Sequence, residues 1–402
     1  MMSSSGYQHV NGLRLYVHRY RDEDAPPSGL TIVLLHGFMD SGATWDMVAP
    51  VLARAGHDVV APDLRGFGLS ENIGAGGYYH FPDYVADLAE LVDALAPRRL
   101  AIVGHSMGGT IAALYTGALP DRVERLALLE GTGPVATEPS VAVDRMQAWL
   151  RTMRQVARAP KMLTSMQEAV ERLSLHHPRV PREVIESRAR LLIRADDAGR
   201  FLWAYDPLHR TTAPTPFNAE SFKEFLKRIE CPTLVVSGGP TGWHPPDDAQ
   251  RIAALKHATM AELPGAGHMM HWTEPAALAQ RLVQFFGEPL AAKPRGPLSS
   301  GRGGTAIMSA IAGAPSPAWS EHASQPAPAI VPGPTAPPQI TAVPGPAAPP
   351  QITAPGRPIY GGAAADLGGP GTTTPGAPFA GSVPVVPTRP SSGNSQGGSG
   401  NG

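Results

Sequence analysis

Residues Ile102-Val103-Gly104-His105-Ser106-Met107-Gly108-Gly109 decide the fold of this chain. They hold the pattern Gly-x-Ser-x-Gly at Gly104, Ser106 and Gly108. A short apolar run, Leu100-Ala101-Ile102-Val103, leads into it, and a helix-like stretch over 110–119 follows. In such a strand–turn–helix setting the serine occupies a strained turn. Glycines two places to either side let strand and helix pack closely, and the hydroxyl projects at the carboxyl edge of a sheet. The helix N-terminus stabilises negative charge nearby. Ser106 is therefore the candidate nucleophile. The plainer alternative is a glycine-rich turn with an incidental serine.

Outward from this turn the chain alternates between strand-like and helix-like runs. Thr31-Ile32-Val33-Leu34-Leu35-His36, Val59-Val60-Ala61, Leu126-Ala127-Leu128-Leu129-Glu130 and Leu234-Val235-Val236 are short and apolar. Such runs form parallel strands buried on both faces. Leu13–Arg21 alternates instead like an exposed antiparallel strand. Phe81–Leu95 carries Phe81, Tyr84, Val85, Leu88, Leu91, Val92 and Leu95 at helical spacing. This alternation predicts an α/β doubly wound, mostly parallel sheet. It breaks over 134–227, where no convincing strand occurs and 141–156, 162–175 and 182–195 are amphipathic and helical. An all-helical insertion between two sheet strands predicts a cap over the end of the sheet.

His36-Gly37-Phe38 ends the first buried strand. The loop there supplies one backbone N–H to an oxyanion hole, and the residue after the nucleophile supplies the other. The amides of Phe38 and Met107 are the candidate donors, against a plain turn at His36-Gly37.

Composition divides the chain near Gly287. Of its 44 prolines, 23 fall in residues 287–402, which hold only three aromatics, Trp319, Tyr360 and Phe379. Such a segment cannot bury enough apolar surface to offset an ordering entropy of roughly 1–2 kcal/mol per residue. Ala336-Pro-Pro-Gln-Ile-Thr-Ala342 recurs as Ala348-Pro-Pro-Gln-Ile-Thr-Ala354, a repeat too short to stack as a solenoid. We expect core at 7–133 and 228–286, a helical cap at 134–227, and a disordered tail at 287–402. The tail's Pro334-Thr-Ala-Pro337 string leaves a protein partner open, although such strings arise readily in Pro-rich sequence.

A formal net charge of -1 gives no reason to expect nucleic acid or an anionic membrane as partner. One cysteine, Cys231, excludes an internal disulfide and a cysteine zinc cluster. No secretory pattern opens the chain and no apolar run approaches a membrane span, so a cytoplasmic location is the expectation.

Taken together, His36-Gly37-Phe38-Met39, Asp63-Leu64-Arg65-Gly66-Phe67-Gly68-Leu69-Ser70, Gly104-His105-Ser106-Met107-Gly108-Gly109 and Gly265-Ala266-Gly267-His268 resemble the α/β-hydrolase superfamily in order and spacing. The resemblance covers about 7–286. Within the superfamily, Tyr78-Tyr79-His80-Phe81-Pro82-Asp83-Tyr84, Leu128-Leu129-Glu130-Gly131-Thr132-Gly133-Pro134 and Trp203-Ala204-Tyr205-Asp206-Pro207 are similar to the serine hydrolase-like branch. It implies the α/β-hydrolase fold, with the cap inserted after the sixth strand.

The resemblance makes His268 the base, with His271 its local rival. His105 reads as structural, and His176, His177 and His209 as surface or pocket residues of the cap. The acid departs from the common pattern. Where most members carry Asp, after the penultimate strand, this chain places Thr241, which cannot stabilise an imidazolium. Glu130 is the candidate substitute, because a purely apolar strand that ends in a carboxylate needs a partner for that charge. Asp247 and Asp248 are the alternatives, although both suit the first turn of a helix. Asp63 and Arg65 read as braces for the turns at Gly66 and Gly68.

The expected function is cofactor-free hydrolysis of an ester, thioester, lactone or related acyl bond, carboxylic-ester hydrolysis above all, on a small apolar substrate. Ser106, His268 and Glu130 form the triad and the acyl group passes through a covalent enzyme intermediate. No metal is called for. The other reading, carried by Thr241, is a weak or inactive hydrolase-fold protein that only binds a ligand.

Overall fold

The computed structural model describes residues 2–74, 76–156, 162–196 and 199–288. The expected tail falls almost wholly outside the described residues. The elements in chain order are β1 (Met2–Val10), β2 (Leu13–Arg21), β3 (Leu30–Leu35), α1 (Ala49–Arg54), β4 (Asp58–Pro62), α2 (Phe81–Leu95), β5 (Arg99–His105), α3 (Met107–Ala118) and β6 (Arg125–Leu129). There follow α4 (Ala142–Val156), α5 (Met166–His176), α6 (Arg182–Leu192), β7 (Ile193–Ala195), β8 (Phe201–Trp203) and α7 (Ala219–Lys227). The chain then returns through β9 (Thr233–Ser237), α8 (Asp248–Ala254), β10 (Ala258–Glu262), α9 (Met270–Thr273) and α10 (Pro275–Gly287).

Eight strands form one sheet in the order β1-β2-β4-β3-β5-β6-β9-β10. β1 and β2 are antiparallel to their neighbours, and the six strands from β4 to β10 are mutually parallel. This is the α/β-hydrolase fold. β3, β5 and β6 are buried almost end to end because helices cover both faces. The period-two alternation of a strand sorts β3 between two cores. Ile32 and Leu34 pack with Trp45, Leu52 and the α10 residues Leu278, Leu282 and Phe286. Val33 and Leu35 face the other way, toward Leu88 and Val92 of α2 and Ile111 and Tyr115 of α3.

β1 is an addition to the expected elements. Its Ser3-Ser4-Ser5-Gly6 carries no apolar alternation, so the strand owes its place to pairing with β2, from Val10↔Leu13 outward. Asn11 (φ 47°) and Gly12 (φ 75°) make the two-residue turn between them. Asn-Gly is the preferred composition for a turn with two positive φ values.

The excursion after β6 is helical but not purely so. β7 and β8 pair antiparallel, Ile193 opposite Trp203, where β-branched and aromatic side chains favour a strand. α5 and α6 bury Val170, Leu173, Ile185 and Ala189 against Met269 and Trp272 of the core. α7 packs Phe222 and Leu226 into the core that covers α3. Among the described residues no helix is long and apolar enough to cross a membrane.

The loop after β4 is built as a brace. Asp63 accepts hydrogen bonds from the backbone N–H groups of Gly42 (2.7 Å) and Leu69 (2.8 Å). Arg65 clasps Asp87 of α2 with two bonds of 2.6 and 2.5 Å, and both side chains are buried. Backbone bonds then join this loop to the cap, from Gly68 N–H to the Ala204 carbonyl (2.6 Å) and from Asp206 N–H to the Gly66 carbonyl (2.7 Å).

Candidate active site

Ser106 stands between β5 and α3 with φ 51° and ψ −115°, a left-handed conformation that costs a non-glycine residue on the order of 1–3 kcal/mol. The turn is held because its glycines admit no side chain. A Cβ on Gly104 would lie 2.4 Å from the Gly108 carbonyl oxygen, and one on Gly108 would lie 2.4 Å from that of Leu35. The Ser106 N–H donates to the Leu129 carbonyl at 3.0 Å, which ties the turn to the neighbouring strand.

His268 Nε2 lies 3.1 Å from Ser106 Oγ. Its other nitrogen, Nδ1, faces Glu130 Oε2 at 3.4 Å. The Glu130 side chain has no exposed surface, whereas His268 is 34% exposed. A buried carboxylate needs donors, and it has them: Gly238 N–H at 2.5 Å on Oε1, and the Trp243 N–H on Oε2. Glu130 itself has φ 50°, so both Ser106 and Glu130 hold left-handed backbone at strand ends.

The alternatives for the acid are engaged elsewhere. Asp247 pairs with Arg251 at 2.8 Å, and Asp248 accepts from Thr132 Oγ1 at 2.5 Å. Thr241 lies on the same loop, its Oγ1 3.3 Å from where a Cβ on Gly267 would stand. The rival base is also committed: His271 Nε2 donates to Asp40 at 2.9 Å, and both side chains are buried. Burial alone would raise the Asp40 pKa, but the hydrogen bond and charge of His271 hold it below the usual carboxylate value.

Phe38 lies in the loop after β3, on the other side of β5 from Glu130's strand, and Met107 follows the serine in the first turn of α3. Among the described residues neither backbone N–H donates to a protein acceptor. Two unspent donors beside a candidate nucleophile are what a developing oxyanion requires. His36, just before them, is fixed by its own bonds. Its Nε2 accepts from Leu64 N–H (3.0 Å) and its Nδ1–H donates to the Gly37 carbonyl (2.8 Å). Burial lowers its pKa, so the ring is a neutral scaffold.

Asp40, His105 and His271 bring donor atoms within 4.8 Å of one another, the one grouping among the described residues with metal-ligand chemistry. Within it His271 Nε2 donates to Asp40 and His105 Nε2–H donates to the His268 carbonyl at 2.7 Å, while Nδ1 of each histidine is buried without a partner among the described residues. The His105 contact and the two amides that hold Glu130 have no sequence signal. Each depends on loops from distant strands meeting at one sheet edge.

His209 lies at the seam of cap and core, stacked between Phe67 (centroids 4.0 Å) and Tyr79 (3.9 Å). Its Nε2 accepts from Tyr84 OH at 2.8 Å, and burial brings its pKa down to about 3. The unfolded chain therefore binds a proton here between pH about 6.5 and about 3 that the folded chain refuses. His209 thus makes stability rise with pH across that window; its contribution is complete above 6.5 and is lost as pH falls toward 3. Denaturant midpoints at pH values of about 7.5 and about 5 are expected to show this loss. His209→Gln is expected to show a smaller one, and an equal loss would remove His209 from the acid response.

The alpha/beta hydrolase fold family model matches residues 31–275. The chain belongs to this family. It is similar to the serine hydrolase-like protein of Danio rerio, 27% identical over 272 residues, 65% of this chain and 82% of that one. It is also similar to the 3-hydroxybutyrate-oligomer hydrolase of Cupriavidus necator, 30% identical over 282 residues, 68% of this chain and 92% of that one. Among solved structures, a hypothetical protein of Pseudomonas aeruginosa matches with a TM-score of 0.62 and 26% identity, over 71% of this chain and 99% of that chain. The thioesterase domain of a curacin biosynthetic pathway matches with a TM-score of 0.62 and 25% identity, over 71% of this chain and all of that domain. The family and the branch are those the motifs resemble. These relatives include an oligomer hydrolase and a thioesterase domain, and the chain is a member of a hydrolase family.

Proposed function

We propose that this protein hydrolyses carboxylic esters or thioesters of small apolar acyl groups by way of an acyl-enzyme on Ser106. The observation that carries the reading is the line Ser106 Oγ–His268 Nε2 (3.1 Å), His268 Nδ1–Glu130 Oε2 (3.4 Å), with a left-handed serine at its head. His268 takes the hydroxyl proton as Oγ bonds to the acyl carbon. The carbonyl oxygen becomes an oxyanion, received by the N–H groups of Phe38 and Met107. As the intermediate collapses, the bond to the leaving oxygen or sulfur breaks and His268 hands the proton to that atom. Water then repeats the sequence on the acyl-enzyme, with His268 again the base. Glu130 orients the ring and stabilises its charged form. Neither step calls on a cofactor.

Relatives named as an oligo-hydroxybutyrate hydrolase and a thioesterase domain support acyl transfer to water as the reaction type. The half-exposed Phe38, on the candidate oxyanion loop with its ring against Phe67 and His209, suits an apolar acyl chain. The test is a panel of p-nitrophenyl esters of increasing chain length with matching acyl thioesters, run alongside labelling by a fluorophosphonate. Expected are stoichiometric labelling and turnover that peaks at one chain length. No labelling and no turnover on any member would overturn the reading in favour of a ligand-binding protein.

A further inference from the structure

We infer that His105 is a positioning residue, which holds the base His268 in register by donating its Nε2–H to the His268 backbone carbonyl; the inference rests on the triad proposed above.

The bond is 2.7 Å long, and a carbonyl oxygen can only accept, so Nε2 carries the hydrogen. His105 Nδ1 is then bare, and it is buried without a partner among the described residues. The ring is neutral for a physical reason: burial first, then the neighbouring His271 and His268, push its pKa well below that of an ordinary histidine.

His268 needs such a hold. It follows Gly265 (φ 80°) and Gly267 (φ 63°), positions whose backbone freedom leaves the loop easy to displace. Before the base, the loop is pinned by the Gly267 N–H on the Gly238 carbonyl at 3.0 Å. At the base itself the pin is the His105 side chain. That side chain belongs to the residue before Ser106, so the nucleophile's own turn grips the peptide of its base. The oxyanion loop is shaped around the same ring, since a Cβ on Gly37 would lie 2.7 Å from His105 Nδ1. One imidazole thus sets the spacing of three loops, and misplacement of about 1 Å in such a site costs on the order of 10²-fold in rate.

The experiment compares wild type with His105→Phe and His105→Met, which keep bulk without a donor, and His105→Gln, whose amide N–H can reach the carbonyl. Expected for the apolar variants is a fall in kcat of roughly 10²-fold with KM within about threefold, at unchanged far-ultraviolet circular dichroism. His105→Gln is expected to recover most of that loss. Wild-type kcat in a folded apolar variant, or equal losses in all three, would overturn the inference. Variants that fail to fold do not leave it untested, because 15N spectra of wild-type imidazoles must show His105 protonated at Nε2 and bare at Nδ1. The opposite tautomer also overturns it. These outcomes are separate from failure of the proposed function, which would appear as a wild-type protein with neither labelling nor turnover.

Discussion

Ser106→Ala is expected to lower kcat on the best ester of the panel by roughly 10⁵- to 10⁶-fold, with KM nearly unchanged. The reason lies in what the substitution leaves standing. Under the proposed mechanism the unspent amides at Phe38 and Met107 would still polarise the carbonyl, and the bridge between Phe67 and Tyr205 still joins the core to the cap. What vanishes is the covalent route, since Ser106 Oγ is the hydrogen-bond partner of His268 Nε2 among the described residues. The rate that survives is expected to be a water attack helped only by the oxyanion donors. Alanine also relaxes nothing essential, because the φ of 51° is imposed by the close contacts of Gly104 and Gly108. Single-turnover kinetics and mass spectrometry check the result together. Wild type should trap an acyl adduct from a slow ester, and the variant should not. Near wild-type turnover in the variant would remove Ser106 from the chemistry and leave the fold without its proposed nucleophile.

Glu130→Gln carries the second large effect. It keeps the shape of a side chain fully enclosed by Gly238, Trp243 and His268, and removes the charge that steadies an imidazolium. Turnover is expected to fall by roughly 10²- to 10⁴-fold while binding of a product acid persists. The matching controls separate this carboxylate from its rivals. Thr241→Ala is expected to change kcat little. Asp247→Asn should weaken the buried Arg251 contact and so act on stability, with kcat kept in the folded fraction. Adding Thr241→Asp to Glu130→Gln is expected to restore part of the lost turnover. A crippled Asp247→Asn beside a fully active Glu130→Gln would reverse the assignment.

The amino-acid sequence discloses those parts of the fold and site whose cues are local. The serine turn is legible because strand, glycine spacing and helix are consecutive in the chain. α2 is legible at both ends, because its apolar positions keep a single helical period from Phe81 to Leu95. Glu130 stands out because an apolar run rarely closes on a carboxylate. β1 is not legible: its serines carry no pattern, and the cue is Asn11-Gly12 beside it. β7 and β8 are too short, at three residues each, to separate from the helix before them. The grip of His105 on His268 joins positions 163 residues apart, and only the strand order brings them together.

That strand order also bears on how such a site can change over generations. β6, which leads into Glu130, and β9, which leads to the loop of Thr241, are immediate neighbours in the sheet, with Glu130 N–H bonded to the Val236 carbonyl at 3.0 Å. Adjacent strands lie about 4.8 Å apart, so the two loops leave the sheet edge side by side. An ancestor with a carboxylate at each end could shed either one and keep its base oriented throughout. Under the proposed triad the acid's address is then a matter of inheritance, free to drift one strand sideways, while the serine and histidine stay where they are.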